Sequence, residues 1–246
     1  MGDLNGDGCD EIAVGAPREN AGRSDQGIVR VIFGFGGPGC PAEPEMVALA
    51  SGVTNSRAGY ALSGGMDVDG DTIPDLVVGA YNHYANGRTA GSARLISGAY
   101  IAGLPRISVT TDVNANNSHP FQDPASTLTN DLFGYVSGEQ FGAGVQLIRG
   151  ASGATAKVVV GSIYGSLGGA DRSGGFRIYE YIQGVGFNPR PVAVFGGESE
   201  NPWNRIGERF DWGFVGVRPM LVVGGIYGNG AGVDLGAVYT FDLSGL

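Results

Sequence analysis

Asp3–Pro17 reads DLNGDGCDEIAVGAP, and Asp67–Tyr81 reads DVDGDTIPDLVVGAY. Each opens on oxygen-bearing side chains at alternate positions, then breaks into an apolar, strand-forming run. Counted from the first Asp, positions one, three and five are Asp3, Asn5 and Asp7, or Asp67, Asp69 and Asp71. Position nine is Glu11 or Asp75. Alternate oxygens on a tightly turned backbone converge on one point, as a hard cation requires. Ca²⁺ takes about 6–8 oxygens, backbone carbonyls included. The carbonyl at position seven, of Cys9 or Ile73, would add another. Gly6, Gly8 and Gly70 permit turns that side chains obstruct. An EF-hand loop begins the same way but needs Glu at position twelve and a helix after it. Position twelve here is Val14 or Val78, inside a strand-forming run, which excludes the EF-hand. Mg²⁺ prefers few protein ligands and retained water, so Ca²⁺ is the better fit. The competing reading is a pair of Asx-rich turns without metal. Turns rarely need four such side chains in so short a stretch.

The apolar run recurs outward from these loops as IAVGAP, LVVGAY, VVVGSI and LVVGGI. Their valines Val14, Val78, Val160 and Val223 are spaced by 64, 82 and 63 residues. After each copy come a polar, glycine-rich loop and a second strand: GIVRVIFG, GSARLISG, GGFRIYEY and GAVYTFDL. Before copies two to four stand RAGYALSGG, DLFGYVSGE and RIGERFDWG, and PEMVALA, RISVTTD and PVAVFGG are extended candidates between units. One unit thus holds about four short strands in roughly 60 residues, the pattern of a β-propeller blade. A β-solenoid has much shorter periods. The expected fold is an all-β propeller, or propeller segment, over residues 1–246. Its approximate repeats are 1–50, 51–115, 116–200 and 201–246, with incomplete end blades. Unit one enters at the acidic loop without a first strand, and unit four ends without a last. Either the chain is part of a longer one, or two copies close a ring of about eight blades, or four blades close alone.

Composition limits the function. The 46 glycines far exceed the usual share of about 7% and follow no collagen period. The net charge of −9 argues against nucleic-acid binding, which needs cationic residues to neutralise phosphates. It also suits a merely solvated acidic surface. No run approaches the roughly 18 apolar residues of a membrane span, and no signal peptide is visible. Two cysteines are too few for a disulfide-built fold or a zinc site. His83 and His119 lie in polar stretches and read as surface-loop residues. GFGGPG from Gly34 leads to prolines rather than a helix, so it is a loop and not a phosphate cradle. No nucleophile elbow is present.

The GY or FG entering the first strand, the acidic loop, VGAP and the GxVxVF strand together resemble FG-GAP repeats. Such repeats build the propeller of integrin α subunits and occur in many bacterial surface proteins. The resemblance is specific in the first two units. Units three and four keep the strands but replace the acidic loop with VQLIRGASGATAKVVVG and DWGFVGVRPMLVVGG. It implies two structural Ca²⁺ sites and a non-catalytic, extracellular or cell-surface adhesion module. Two departures, Glu11 for the usual Asp and Thr72 for the usual Gly, can lower affinity. In such a blade the turns carrying Cys9 and Cys40 lie on one edge, so a Cys9–Cys40 disulfide and an oxidising compartment are expected. The loops between second and third strands share the face opposite the Ca²⁺ loops. They carry Arg18, Glu19, Arg23, Asp25, Tyr81, His83, Tyr84, Arg88, Tyr164, Asp171, Arg172, Tyr227 and Asn229. Tyr84, Arg88, Tyr164 and Arg172 are the candidate contacts for a protein or glycan partner, because Tyr and Arg are enriched at interfaces. The alternatives are a carbohydrate-active propeller, lectin or polysaccharide lyase, and a structural segment of a larger protein. A lyase needs a base beside an acid-binding cleft, and no such cluster stands out.

Overall fold

Short apolar runs bounded by turn residues form strands throughout the computed structural model. It describes residues 1–34, 38–121, 130–149, 156–167, 172–196, 205–225 and 236–246. β1 (Ile12–Ala16), β2 (Ile28–Ile32) and β3 (Glu45–Ala50) form the first sheet, antiparallel and in chain order. β4 (Ala61–Met66) and β5 (Asp75–Ala80) begin the second. The loop after β5 carries a small hairpin, β6 (Tyr84–Ala85) and β7 (Arg88–Thr89), before β8 (Ser92–Ile96) rejoins the sheet. A short helix, α1 (Gly98–Gly103), follows.

The next segment leaves its own sheet. β9 (Ile107–Ser108) and β10 (His119–Pro120) both pair with β3, so the RISVTTD stretch returns to the first blade. There Ile107, Val109 and Val113 pack with Ile28, Met46 and Ala48. The second sheet is completed by β11 (Asp131–Phe133), taken from the DLFGYVSGE element that reads as the opening of unit three. The third sheet instead starts with β12 (Phe141–Arg149). It continues through β13 (Ala156–Ser162) and β14 (Gly175–Ile182), to which β15 (Gly186–Phe187) and β16 (Ala193–Gly196) both pair. The fourth sheet is β17 (Ile206–Val215), β18 (Arg218–Gly225) and β19 (Ala237–Asp242). Among the described residues the four sheets have five, four, five and three strands, β9 and β10 adding to the first and β15 to the third.

Successive blades stack through apolar faces. Val29, Val47 and Leu49 of the first blade meet Val78 and Ile96 of the second. Val77 and Leu95 of the second meet Phe141, Leu147 and Val158 of the third. Val159, Phe176 and Ile178 of the third meet Leu221 and Val223 of the fourth. The glycine of each of the first three VG pairs has a steric reason. A Cβ on Gly15 would fall 1.9 Å from the Gly59 carbonyl oxygen, one on Gly79 2.1 Å from that of Gly142, and one on Gly161 1.7 Å from that of Gly207. Gly59, Gly142 and Gly207 enter the following blades at φ 84°, 85° and 98°, a region that favours glycine. Thus each of these VG glycines and the glycine entering the next blade are two halves of one inter-blade contact, and in the third unit the latter is Gly142 rather than the FG of DLFGYVSGE.

Candidate cation loops and the opposite face

The first acidic stretch leads into β1 and the second joins β4 to β5, and their backbones repeat each other position for position. Asp3 Oδ1 accepts the N–H of Gly6 at 2.8 Å, and its Oδ2 accepts that of Gly8 at 2.8 Å. Asp67 accepts those of Gly70 at 2.7 Å and Thr72 at 2.8 Å. Asn5 and Asp69 accept from the residue two ahead, Asp7 and Asp71. Asp7 and Asp71 accept in turn from Cys9 at 2.9 Å and Ile73 at 2.8 Å. These bonds require left-handed backbone at the tips: Gly6 at φ 75° and Gly8 at 83°, Gly70 at 89° and Thr72 at 74°.

The position-nine carboxylates turn inward. Glu11, buried, accepts the N–H groups of Leu4 at 2.5 Å and Gly34 at 3.3 Å. Asp75, fully buried, accepts those of Val68, Asp69 and Gly98. Each therefore ties the second residue of its loop to the blade. Carboxylate oxygens of Asp3, Asp7 and Glu11 lie within 4.8 Å of one another, as do those of Asp67, Asp69 and Asp71. Asn5 donates its amide to Asp7 at 2.9 Å.

Electrostatics make these clusters costly without a counter-charge. Burial pushes the Asp75 carboxyl up to about 7, with the charge of Asp69 adding to it. Burial, then the charge of Asp71, raises Asp69, and burial with the charges of Asp7 and Asp3 raises Glu11. Asp3 runs the other way, held down by the N–H groups that face it, that of Gly8 foremost. An all-oxygen donor set around a point of crowded negative charge fits a hard cation such as Ca²⁺. The third and fourth blades lack this chemistry. In the fourth, β17 turns into β18 through Gly216 and Val217 alone.

Cys9 and Cys40 are joined as a disulfide, with Cα atoms 5.9 Å apart. The bond staples the end of the first acidic loop to the chain beyond β2.

At the other end of the strands, Tyr84 stands 57% exposed on the β6–β7 hairpin. Arg88, on the same hairpin, donates to the Tyr135 carbonyl at 2.8 Å, bridging the second blade to the third. Tyr164 and Arg172 line one pocket of about 260 Å³ with Val136, Glu139 and Ser166. The structure thus brings Tyr164 and Arg172 together, while Tyr84 stands apart from that pocket. Asp171, Tyr227 and Asn229 lie outside the described residues.

Two features of this end escape the sequence reading. A pocket of about 400 Å³ sits between the first two blades, lined by Pro17, Glu19, Arg57, Tyr60 and Tyr81. Tyr60 and Tyr81 meet edge to face at 4.6 Å, Arg57 donates to the Tyr81 hydroxyl at 2.5 Å, and Tyr60 donates to Glu208 of the fourth blade at 2.8 Å. The second feature is a repeated arginine in the third strands, Arg30, Arg94 and Arg177, paired with Glu19, Asp131 and Glu139. The shared G-x-x-R spacing of GIVR, GSAR and GGFR was its available signal.

A family model described as FG-GAP repeat matches residues 1–32 and 58–95. Integrin alpha-PS2 of Drosophila melanogaster is 44% identical over 88 residues, covering 33% of this chain and 6% of that protein. Integrin alpha pat-2 of Caenorhabditis briggsae is 43% identical over 83 residues, 32% of this chain and 6% of that protein. Human integrin alpha-IIb is 41% identical over 81 residues, 33% of this chain and 8% of that protein. The chain therefore matches less than a tenth of the length of these relatives. Residues 1–32 and 58–95 are FG-GAP repeats, and the all-β sheets that carry them are blades of an FG-GAP-type β-propeller.

Proposed function

We propose that this chain is a non-catalytic, Ca²⁺-binding propeller module that binds a protein or glycan partner in an extracellular or cell-surface setting. One observation carries the Ca²⁺ reading: two loops 64 residues apart repeat the same carboxylate-to-backbone scaffold and each gathers three carboxylates. Asp3, Asn5, Asp7 and Glu11 would hold one ion with the Cys9 carbonyl, and Asp67, Asp69, Asp71 and Asp75 the other with the Ile73 carbonyl. The ion's role is structural: it neutralises the cluster and fixes the turn. The setting is supported by the likeness to integrin α subunits and by the disulfide, since such bonds persist in oxidising compartments. Among the described residues no helix is long and apolar enough to cross a membrane. The partner face is supported by the exposure of Tyr84 and the pocket shared by Tyr164 and Arg172.

Titration calorimetry of the metal-free chain tests the first claim. Two equivalents of Ca²⁺ are expected, with Kd values of about 10⁻⁴–10⁻³ M, the range of extracellular modules. Asp7→Ala should remove one equivalent and Asp71→Ala the other. Absence of binding at millimolar Ca²⁺ defeats the reading.

A further inference from the structure

The second acidic loop is not covered by its own blade alone. The β14–β15 hairpin of the third blade reaches back to it. Tyr181 faces Phe187 across this hairpin, with ring centroids 5.3 Å apart and edge-on. Both rings share a buried cluster with Val68, the second residue of the loop. At the hairpin turn the Gln183 amide lies over the loop tip: a Cβ on Gly70 would fall 2.1 Å from its Nε2. The first loop differs, because a Cβ on Gly6 or Gly8 would meet nothing within 4 Å among the described residues.

Tyr181 is 3% exposed, and among the described residues its hydroxyl has no hydrogen-bond partner. A buried hydroxyl left unpaired is destabilising. Burial and then the charges of Asp69 and Asp75 push this hydroxyl up to about 12. Both carboxylates act on this hydroxyl, and of the two Asp69 belongs to the acids gathered at one point of the loop.

We propose that Tyr181 and Gln183 are positioning residues of the second cation site, which is therefore built from two blades. The inference rests on reading the loops as Ca²⁺ sites. When the loop closes on an ion, the Tyr181 hydroxyl donates to the Asp69 carboxylate and orients it, while Gln183 holds the tip at Gly70. Occupancy then tightens the joint between the second and third blades.

The test uses the full chain carrying Asp7→Ala, so that only the second loop binds, with Ca²⁺ and Tb³⁺ as probes. Tyr181→Phe removes the hydroxyl and keeps the ring. It should weaken Ca²⁺ binding about tenfold, the lower end for loss of an outer-shell partner, without lowering the melting temperature of the metal-free chain. Gln183→Ala should weaken it less. The variant should also lose Tb³⁺ emission excited through tyrosine by a larger factor than emission excited directly, because Tyr181 is the ring beside the ion. Parent-like affinity and sensitised emission in Tyr181→Phe overturn the proposal while leaving the Ca²⁺ reading intact. An affinity loss matched by a lower metal-free melting temperature assigns Tyr181 to packing and also overturns it. If the Asp7→Ala chain binds neither ion, both readings fall.

Discussion

At Thr72 the second loop departs from the first in a way that one residue decides. The position needs left-handed backbone, φ 74°, because its N–H must reach Asp67 Oδ2. The first loop places Gly8 there, at φ 83°. A β-branched residue in this region is a conformational outlier, costing about 1–2 kcal/mol. Glycine would relieve that strain but adds freedom to the unfolded chain, worth about 0.5–1 kcal/mol. Relief wins by the smaller difference. Thr72→Gly should therefore stabilise the protein by up to about 1.5 kcal/mol, seen as a rise of at most roughly 3–6 °C in melting temperature. It should tighten Ca²⁺ binding as well, since the N–H to Asp67 is kept in a relaxed turn. A lower melting temperature would mean that the Thr72 side chain supplies stability that no contact described above accounts for.

The elements show what one motif can and cannot announce. Leu76–Gly79 and Leu221–Gly224 are the same four residues, LVVG. The first copy is buried throughout, while in the second Val222 is 37% exposed. The second blade is covered on both faces and the fourth on one, which local sequence does not encode. The glycines give a paired test. A Cβ on Gly79 collides with the Gly142 backbone, whereas one on Gly224 would meet nothing nearer than 3.7 Å among the described residues. Gly79→Ala should cost at least about 2–3 kcal/mol, because two backbones must separate. Gly224→Ala should stay within about 1 kcal/mol. Equal losses by calorimetry would refute the inter-blade explanation of the motif. The strands around each VG motif and the paired acidic turns were legible because turn chemistry and alternating oxygens are local. The return of residues 107–120 to β3 was not, since an extended stretch does not name its partner. Nor was the pairing of Arg177 with Glu139, 38 residues away, which only the stacking of blades creates.

For the molecule as a whole, the proposed ion sites and the proposed partner face would separate stability from recognition. The second acidic loop and the hairpin carrying Tyr84 lie at opposite ends of β5. β5, six residues from Asp75 to Ala80, sets them about 20 Å apart. A ligand held near Tyr84 would not touch either ion. At ten times Kd each ion should add about 1.4 kcal/mol, so chelation should lower the melting temperature by roughly 5–10 °C. Asp71→Ala should remove about half of that response. Tyr84→Ala should do the converse: an exposed loop change costs under about 0.5 kcal/mol, leaving the melt nearly fixed while binding falls. Arg88→Ala should weaken binding too, with a slightly larger loss of stability, because Arg88 also bonds the Tyr135 carbonyl. The ligand for this comparison is one captured on a glycan array or from cell-surface extracts. If binding survives Tyr84→Ala and Arg88→Ala at saturating Ca²⁺ but fails in Asp71→Ala while that variant remains folded, recognition belongs to the acidic end and the assignment of faces is reversed. Cleavage of an acidic polysaccharide by the purified chain would instead replace adhesion with lyase chemistry.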